Sequence, residues 1–322
     1  MTFPDPVAPA AGAAPRRPRR PRRGLTFLLR GALLRGALLR CALLRCALLL
    51  GALAAGAPAP AGAAPAWSTG LHARARLIPG GQADGLRVAG LEIVLDPGFK
   101  TFWRDPGEAG IPPTLDWSGS RNAARVEVVW PVPRRMDEAG DVVFGYEGRV
   151  VLPLRVHPID PDGPVALRLR LDYGICSAIC IPVRADLALT LPADAAAVPD
   201  PRVAEALAAS PQPARLGEGA LAVLGAVPEP PGRTGGLVVA VRARVPDGRP
   251  ADLFVSGPPG WLLVPPPRAR PEAPGTVLFR VPVRERPPAG GAGALPLSLT
   301  LASPGLHPVV TEANLDTREW PR

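Results

Sequence analysis

The chain has 322 residues, of which 47% are hydrophobic and 20% are charged, so it can form one or two domains with real cores. Its 45 prolines and 35 glycines disfavour long helices and favour short strands joined by turns. The net charge of +9 resides in residues 1–66, which hold ten arginines and one acid, while the rest carries 27 basic and 27 acidic residues. This neutral remainder argues against nucleic-acid binding, which requires a basic surface on the folded part.

Residues 1–66 have the features of an N-terminal export leader. A basic cluster at residues 16–23 is followed by an apolar run at residues 46–57, which has the length of a signal-peptide core. The small residues 64–66 precede Trp67 and form a cleavage site of the A-x-A kind. We therefore predict a signal peptide of the general or the twin-arginine type and a periplasmic protein. The alternative is a retained membrane anchor, for which the run is short against the ~20 apolar residues of a membrane span.

Residues 67–195 hold several stretches that alternate between apolar and polar residues as β-strands do, and none with a sustained helical period. The clearest strand candidate is residues 165–173, and the first β-rich domain, residues 67–195, also has candidates at 91–96, 125–130, 149–156 and 186–191. Pro153 lies inside one of them and indicates an edge strand or a bulge. The short strands and the turns between them predict a β-sandwich.

Residues 196–216 form an alanine- and proline-rich linker in which residues 201–209 are predicted to make one short helix, with Pro201 in its first turn. A second β-rich domain follows at residues 217–322, with strand candidates at 236–245, 252–256, 276–283, 295–301 and 308–312. The prediction is therefore an all-β protein with two β-sandwich domains after an export leader.

Cys176 and Cys180 lie in the stretch YGICSAICIP, residues 173–182, and no other cysteines lie beyond the leader. A disulfide that closes so short a loop stabilises a fold by about 2 kcal/mol, against about 5 for a loop of ~100 residues. A disulfide between these two cysteines would therefore add little stability. The three histidines are scattered along the sequence, which gives a poor zinc signature, and a cysteine hydrolase would have only His157 as its base. Spacing and compartment favour redox exchange over a structural disulfide, and both readings stay open.

Residues 171–182, LDYGICSAICIP, resemble the active-site segment of the N-terminal periplasmic domain of DsbD-type thiol:disulfide interchange proteins. Three upstream blocks, residues 96–113, 116–120 and 145–154, resemble the version found in the subfamily related to the copper-tolerance ScsB proteins. The resemblance covers residues 70–195 and extends more loosely over 217–316. It implies that the sandwiches are immunoglobulin-like.

The resemblance also implies a function, that of a thiol:disulfide oxidoreductase which shuttles electrons. Cys180 would form the mixed disulfide with partners and Cys176 would resolve it. A membrane thiol–disulfide electron carrier would reduce the pair, which would then reduce periplasmic thioredoxin-fold or other disulfide-containing proteins. No cofactor, metal, nucleic acid or small-molecule substrate is expected, and the related process would be cytochrome c biogenesis or copper tolerance.

The family has an aromatic cap over its cysteine pair, and Phe144, Tyr146 and Tyr173 are the candidates for residues that line the site here. The chain departs from the family because no membrane-embedded or thioredoxin-like region follows, so we expect a separate membrane protein to reduce it. The alternative function is a non-enzymatic periplasmic protein-binding module in which the disulfide only fixes a loop.

Overall fold

The structure, a computed structural model, describes residues 66–138, 140–193, 198–229, 236–287 and 293–317. These residues form two pairs of β-sheets, and each pair encloses its own hydrophobic core, which confirms the predicted all-β class. The predicted leader and its cleavage site lie outside the described residues except for Ala66. The division into residues 67–195, 196–216 and 217–322 stays a prediction. Within the described ranges, no helix is long and apolar enough to cross a membrane.

The first pair of sheets is built from the strands that precede residue 192. Within the described ranges these strands are β1 (Ser68–Gly70), β2 (Ala73–Ala83), β3 (Leu86–Leu95), β4 (Lys100–Phe102), β5 (Thr114–Asp116), β6 (Ala123–Val128), β7 (Arg134–Glu138), β8 (Asp141–Glu147), β9 (Arg149–Pro158), β10 (Val165–Cys176) and β11 (Cys180–Leu191). One sheet has the order β1-β2-β3-β9-β6, and the other has the order β11-β10-β4-β8-β7 with β5 paired to β10.

The core of the first sandwich is formed by alternate side chains of these strands. In β10 the apolar residues Leu167, Leu169 and Leu171 are buried while Arg168 and Arg170 between them are exposed, as the sequence predicts. Pro153 does not mark an edge, because β9 lies between β3 and β6 without a bulge at that position. Its carbonyl accepts from the Val129 N–H, just beyond the last residue of β6, so the missing N–H of the proline faces the end of that strand.

A short helix docks on the outer face of the sheet that contains β2 and β3. This helix, α1 (Pro201–Ala209), begins at Asp200, whose carboxylate accepts from the Arg202 N–H, and it confirms the predicted helix with Pro201 in its first turn. Val203 is fully buried against the sheet. A Cβ at Gly80 or Gly90 would lie 2.7 or 2.8 Å from a Val203 methyl group, so glycine at both positions makes room for the helix.

The second pair of sheets follows the helix. In the described part of the chain its strands are β12 (Gln212–Pro213), β13 (Ala222–Glu229), β14 (Leu237–Arg244), β15 (Asp252–Ser256), β16 (Leu262–Leu263), β17 (Arg270–Ala273), β18 (Thr276–Glu285), β19 (Ala294–Ala302) and β20 (Val309–Asp316), with a 3₁₀ turn at Pro246–Gly248. The sheets have the orders β12-β20-β19-β15 and β13-β14-β18-β16, with β17 paired to β18.

Strand β15 contributes to the cores of both sandwiches. Leu253 and Val255 point into the second core, whereas Phe254 between them is 2% exposed and belongs to the first. The Phe254 ring centroid lies 4.7 Å from that of Phe144 and 6.2 Å from that of Trp103. The two sandwiches therefore share a hydrophobic contact that an independent pair of domains would lack.

Candidate functional site

Cys176 and Cys180 form a disulfide at the turn that joins β10 to β11. They are the last residue of one strand and the first of the next, and they lie directly opposite each other with their Cα atoms 4.1 Å apart. The turn is closed by a hydrogen bond from the Ser177 N–H to the Ile179 carbonyl oxygen. Because the twelve-residue hairpin arms are paired along their whole length, the sheet holds the two half-cystines in a fixed position at its end.

The two half-cystines differ in their exposure to solvent. Cys176 is 0% exposed, whereas Cys180 belongs to the exposed residues, as do all three residues between them. Ile179, the neighbour of Cys180, is a large apolar side chain that is 69% exposed. An attacking thiolate from solvent can therefore approach Cys180 and not Cys176.

A small apolar cluster on the outer face of the sheet covers Cys176. Phe102 and Val143 are buried with it, and Ala109 and Met136 pack against the three. The adjacent Gly174 is covered by Ile111, because a Cβ at Gly174 would lie 2.7 Å from the Ile111 Cβ. These neighbours come from three separate stretches of sequence, and sequence reasoning identified none of them.

A row of residues across four strands continues from the disulfide. Cys180, Cys176, Lys100 and Glu147 are successive cross-strand partners on β11, β10, β4 and β8. Cross-strand partners project from the same face of a sheet. The Lys100 ammonium donates to the Asp137 carbonyl oxygen at 3.2 Å and so holds the end of the β7–β8 hairpin beside this row. Lys100, the only lysine of the chain, is thus the cation nearest to Cys176 along the row.

The predicted cap residues lie in the core of the first sandwich. Tyr146 pairs with Thr101, which pairs with Ile175, so this row is one residue away from the cysteine row and its side chains point into the core. Phe144 and Tyr173 are buried in the same core. The Tyr146 hydroxyl donates to the Pro131 carbonyl oxygen at 2.8 Å. Lining of the site by these three residues stays a prediction, whereas the side chains packed on Cys176 are those of Phe102, Val143, Ala109 and Met136.

Burial also changes the acidity of the two tyrosines. It raises the pKa of Tyr173 to about 12 and raises the pKa of Tyr146 well above its ordinary value. Both phenols are therefore neutral at physiological pH and act through packing and hydrogen bonding rather than charge.

The histidines do not gather into a ligand set. His72 stacks on Phe99 with ring centroids 4.2 Å apart, and its Nδ1 lies 3.0 Å from an Asp96 carboxylate oxygen. Over the described residues, no group of three or more His, Cys, Asp or Glu side chains is arranged to hold a metal ion.

Asp105 lies where the segment after β4 meets the second sandwich. Its carboxylate accepts a hydrogen bond from the Ser256 hydroxyl of β15, and the Arg104 guanidinium lies 3.7 Å away. Burial is the largest influence and raises the pKa of Asp105 above 3.8, while Ser256 and Arg104 act in the opposite direction. Burial thus makes the charged carboxylate unfavourable, and the contacts with Ser256 and Arg104 offset only part of that cost.

We expect the stability contribution of Asp105 to depend on pH. Because its folded pKa is raised, the stabilisation is fully present below the unfolded value of 3.8 and is lost as pH rises through the folded pKa. The Asp105→Asn variant should therefore gain stability relative to the original chain as pH rises above 3.8, measured by urea unfolding. Ser256→Ala removes a bond that favours the charged form and should make the pH dependence steeper. Parallel pH profiles for all three proteins would contradict this assignment.

An all-β domain with one buried and one exposed half-cystine at a strand turn has the features of a thiol–disulfide exchange domain. Residues 74–192 match the sequence model of the family described as thiol:disulfide interchange protein DsbD, N-terminal. The match confirms the resemblance predicted from the cysteine segment and its upstream blocks.

The fold also resembles a solved structure over both sandwiches. The N-terminal periplasmic domain of ScsB from Proteus mirabilis matches with a TM-score of 0.61 and 23% sequence identity, covering 79% of this chain and 99% of that one. At this identity the likeness concerns the fold. No curated protein sequence matches the chain.

Proposed function

We propose that the chain is a periplasmic thiol:disulfide oxidoreductase in which the Cys176/Cys180 dithiol passes reducing equivalents from a membrane electron carrier to periplasmic proteins. The DsbD N-terminal match supports exchange chemistry at this pair. The observation that carries the assignment of roles is the difference in exposure, with Cys176 buried and Cys180 open to solvent. The predicted leader would deliver the protein to a compartment where disulfides form.

The exchange proceeds in two substitutions at sulfur. The Cys180 thiolate attacks one sulfur of a partner disulfide, the partner bond breaks, and its other sulfur leaves as a thiolate that takes up a proton. Cys176 then loses its proton and attacks the Cys180 sulfur, which closes the Cys176–Cys180 disulfide and releases the second partner sulfur. Two electrons pass to the partner. A dithiol on the membrane carrier reverses these steps at the bridge and restores the reduced pair.

The surface around Cys180 supports contact with a protein partner. Ile179, which is 69% exposed, lies directly before Cys180 in the turn. Exposed apolar residues next to a reactive sulfur favour a protein rather than a small molecule as the reaction partner. Thioredoxin-fold or other disulfide-containing proteins fit this requirement.

Trapping tests the proposed function. In the Cys176→Ser variant the resolving sulfur is absent, so a reduced Cys180 should remain linked to an oxidised thioredoxin-fold protein as a covalent adduct. Non-reducing electrophoresis should show the adduct, and a small dithiol should dissolve it. The matched control, Cys176→Ser with Cys180→Ser, should give none. If Cys176→Ser forms no adduct with any purified thioredoxin-fold disulfide, the exchange function is wrong.

The reduction potential of the Cys176–Cys180 disulfide distinguishes the proposed exchange function from the alternative, a protein-binding module with a structural disulfide. Structural disulfides in exported proteins usually have potentials below about −300 mV, whereas exchange domains lie higher. A potential above that value, measured against a glutathione series, supports the shuttle. A lower value together with the absence of trapped adducts supports the module.

A further inference from the structure

The segment that connects β4 to β5, residues 103–113, touches both the second sandwich and the cysteine site. We call it the strap. Its first half is attached to the second sandwich by five neighbouring residues. Two of these contacts are hydrogen bonds: Arg104 donates to the Ser298 hydroxyl at 3.1 Å, and Asp105 accepts from Ser256. Two are packing contacts: Trp103 packs near Phe254, and a Cβ at Gly107 would lie 2.8 Å from Pro265. The fifth is an ion pair in which Glu108 lies 3.5 Å from Arg284.

The second half of the strap covers the buried half-cystine. Ala109 packs against the cluster of Phe102, Val143 and Cys176, and Ile111 lies directly on the backbone of Gly174. Glycine at position 174 is required for this approach, since any Cβ there would meet Ile111.

The strap is compact, and its two halves pack against each other. A Cβ at Gly110 would lie 2.3 Å from the Pro106 Cβ and 3.0 Å from the Phe102 ring. The Pro106 carbonyl accepts from the Phe144 N–H at 3.0 Å, which ties the middle of the strap to β8. Position is therefore transmitted from the attachment at Arg104–Glu108 to the cover at Ala109 and Ile111.

We infer that the second sandwich positions the strap over Cys176 and thereby restricts exchange to the Cys180 sulfur. This inference rests on the proposed function, because it explains which of the two sulfurs exchanges with partners. Attack at Cys176 would place the partner on a buried sulfur and release Cys180 as the leaving group, so the covering residues remove an unproductive route. The second sandwich is then a positioning element of the exchange site and not only a neighbouring domain.

Alkylation of single thiols tests the inference without any partner protein. The Cys176 thiol of the Cys180→Ser variant should react with iodoacetamide only after local opening of the structure. Its rate should therefore be on the order of a hundredfold lower than that of the Cys180 thiol in the Cys176→Ser variant. Alkylation rates measured in enough urea to unfold the protein give the intrinsic reactivity of each thiol, and the rates of the folded variants are divided by these values.

Loosening the attachment should expose Cys176. Ser256→Ala with Glu108→Gln removes two strap contacts and should raise the Cys176 alkylation rate about tenfold, while the Cys180 rate stays unchanged. Glu272→Gln is the matched control, since it breaks a Glu–Arg pair with Arg242 at 2.9 Å within the second sandwich, and it should change neither rate. Circular dichroism checks the fold, and Ser256→Ala alone replaces the double variant if that one unfolds.

The inference is overturned if Cys176 is alkylated as fast as Cys180 when the strap contacts are intact. It is also overturned if a folded variant that lacks the strap contacts has an unchanged Cys176 alkylation rate. A failure of trapping combined with the expected alkylation pattern would remove the exchange function and leave the shielding by the strap in place. Trapped adducts combined with equal alkylation of both thiols would remove the shielding and leave the exchange function.

Discussion

Cys180→Ser is expected to lower the rate of exchange on the order of a hundredfold or more. Beyond the predicted leader the only thiol left is Cys176, which is fully buried beneath Phe102 and Val143 and becomes available only when the sheet end opens. Local opening of a packed site costs about 3 kcal/mol or more, which corresponds to about a hundredfold. Serine cannot replace the lost nucleophile, because exchange requires a thiolate. The measurement is the rate at which the reduced protein releases thiolate from an aromatic disulfide reagent.

Cys176→Ser is the matched control for this loss. It keeps the exposed Cys180, so the first substitution should proceed at nearly the original rate, while the second step is absent and the product stays mixed. Both variants lack the bridge, and Cys176→Ser also places a hydroxyl in an apolar cluster, so the rates are compared at a temperature where both proteins are folded. A difference between the rates then reports the position of the sulfur. Equal rates for the two variants would show that the sulfurs are equivalent, in conflict with the exposure seen in the structure.

The alternation of β10 could be predicted from the sequence because burial in a strand follows a period of two residues. The choice of face near Cys176 could not. Phe144 and Tyr146 lie on β8, two strands away from β10 in the same sheet, and the register Tyr146–Thr101–Ile175 turns them toward the core. A shift of one residue would have brought them to the cysteine face, and the register depends on pairing between distant strands.

The residues that do cover Cys176 are held there by long-range contacts. Met136 comes from the β7–β8 hairpin, and Ala109 and Ile111 come from a stretch rich in proline and glycine with no secondary structure of its own. Nothing in their local sequence marks them as neighbours of a cysteine. The one signal that could have found them is glycine at position 174, in a strand that otherwise alternates, because glycine within a strand often marks a close approach.

The two sandwiches could be anticipated as separate strand sets, whereas their shared core could not. β15 has the length and composition of an ordinary strand. Its Phe254 departs from the alternation of buried and exposed side chains that packing against one core would produce. All of Leu253, Phe254 and Val255 are buried because the strand lies between two cores. A continuous apolar run in a short strand is typical of burial on both faces.

Phe254→Ala is expected to destabilise the protein by about 3–5 kcal/mol, because removal of a buried phenylalanine side chain loses its transfer free energy and leaves a cavity. The loss should appear in the first sandwich although the residue belongs to a strand of the second, since its ring packs on Phe144 and Trp103. Urea unfolding measures the free energy, and hydrogen exchange of the amides in β8 and β10 locates it.

Leu253→Ala is the control for that experiment. The Leu253 side chain is equally buried and lies one residue away, but it points into the second core, so its replacement should increase hydrogen exchange in β14, β18 and β19 first. If Phe254→Ala increases exchange only in those same strands, then the ring is not part of the first core and the coupling of the sandwiches is lost. If exchange instead rises in β8 and at the end of β10, the Cys176 cover depends on a side chain supplied by the second sandwich.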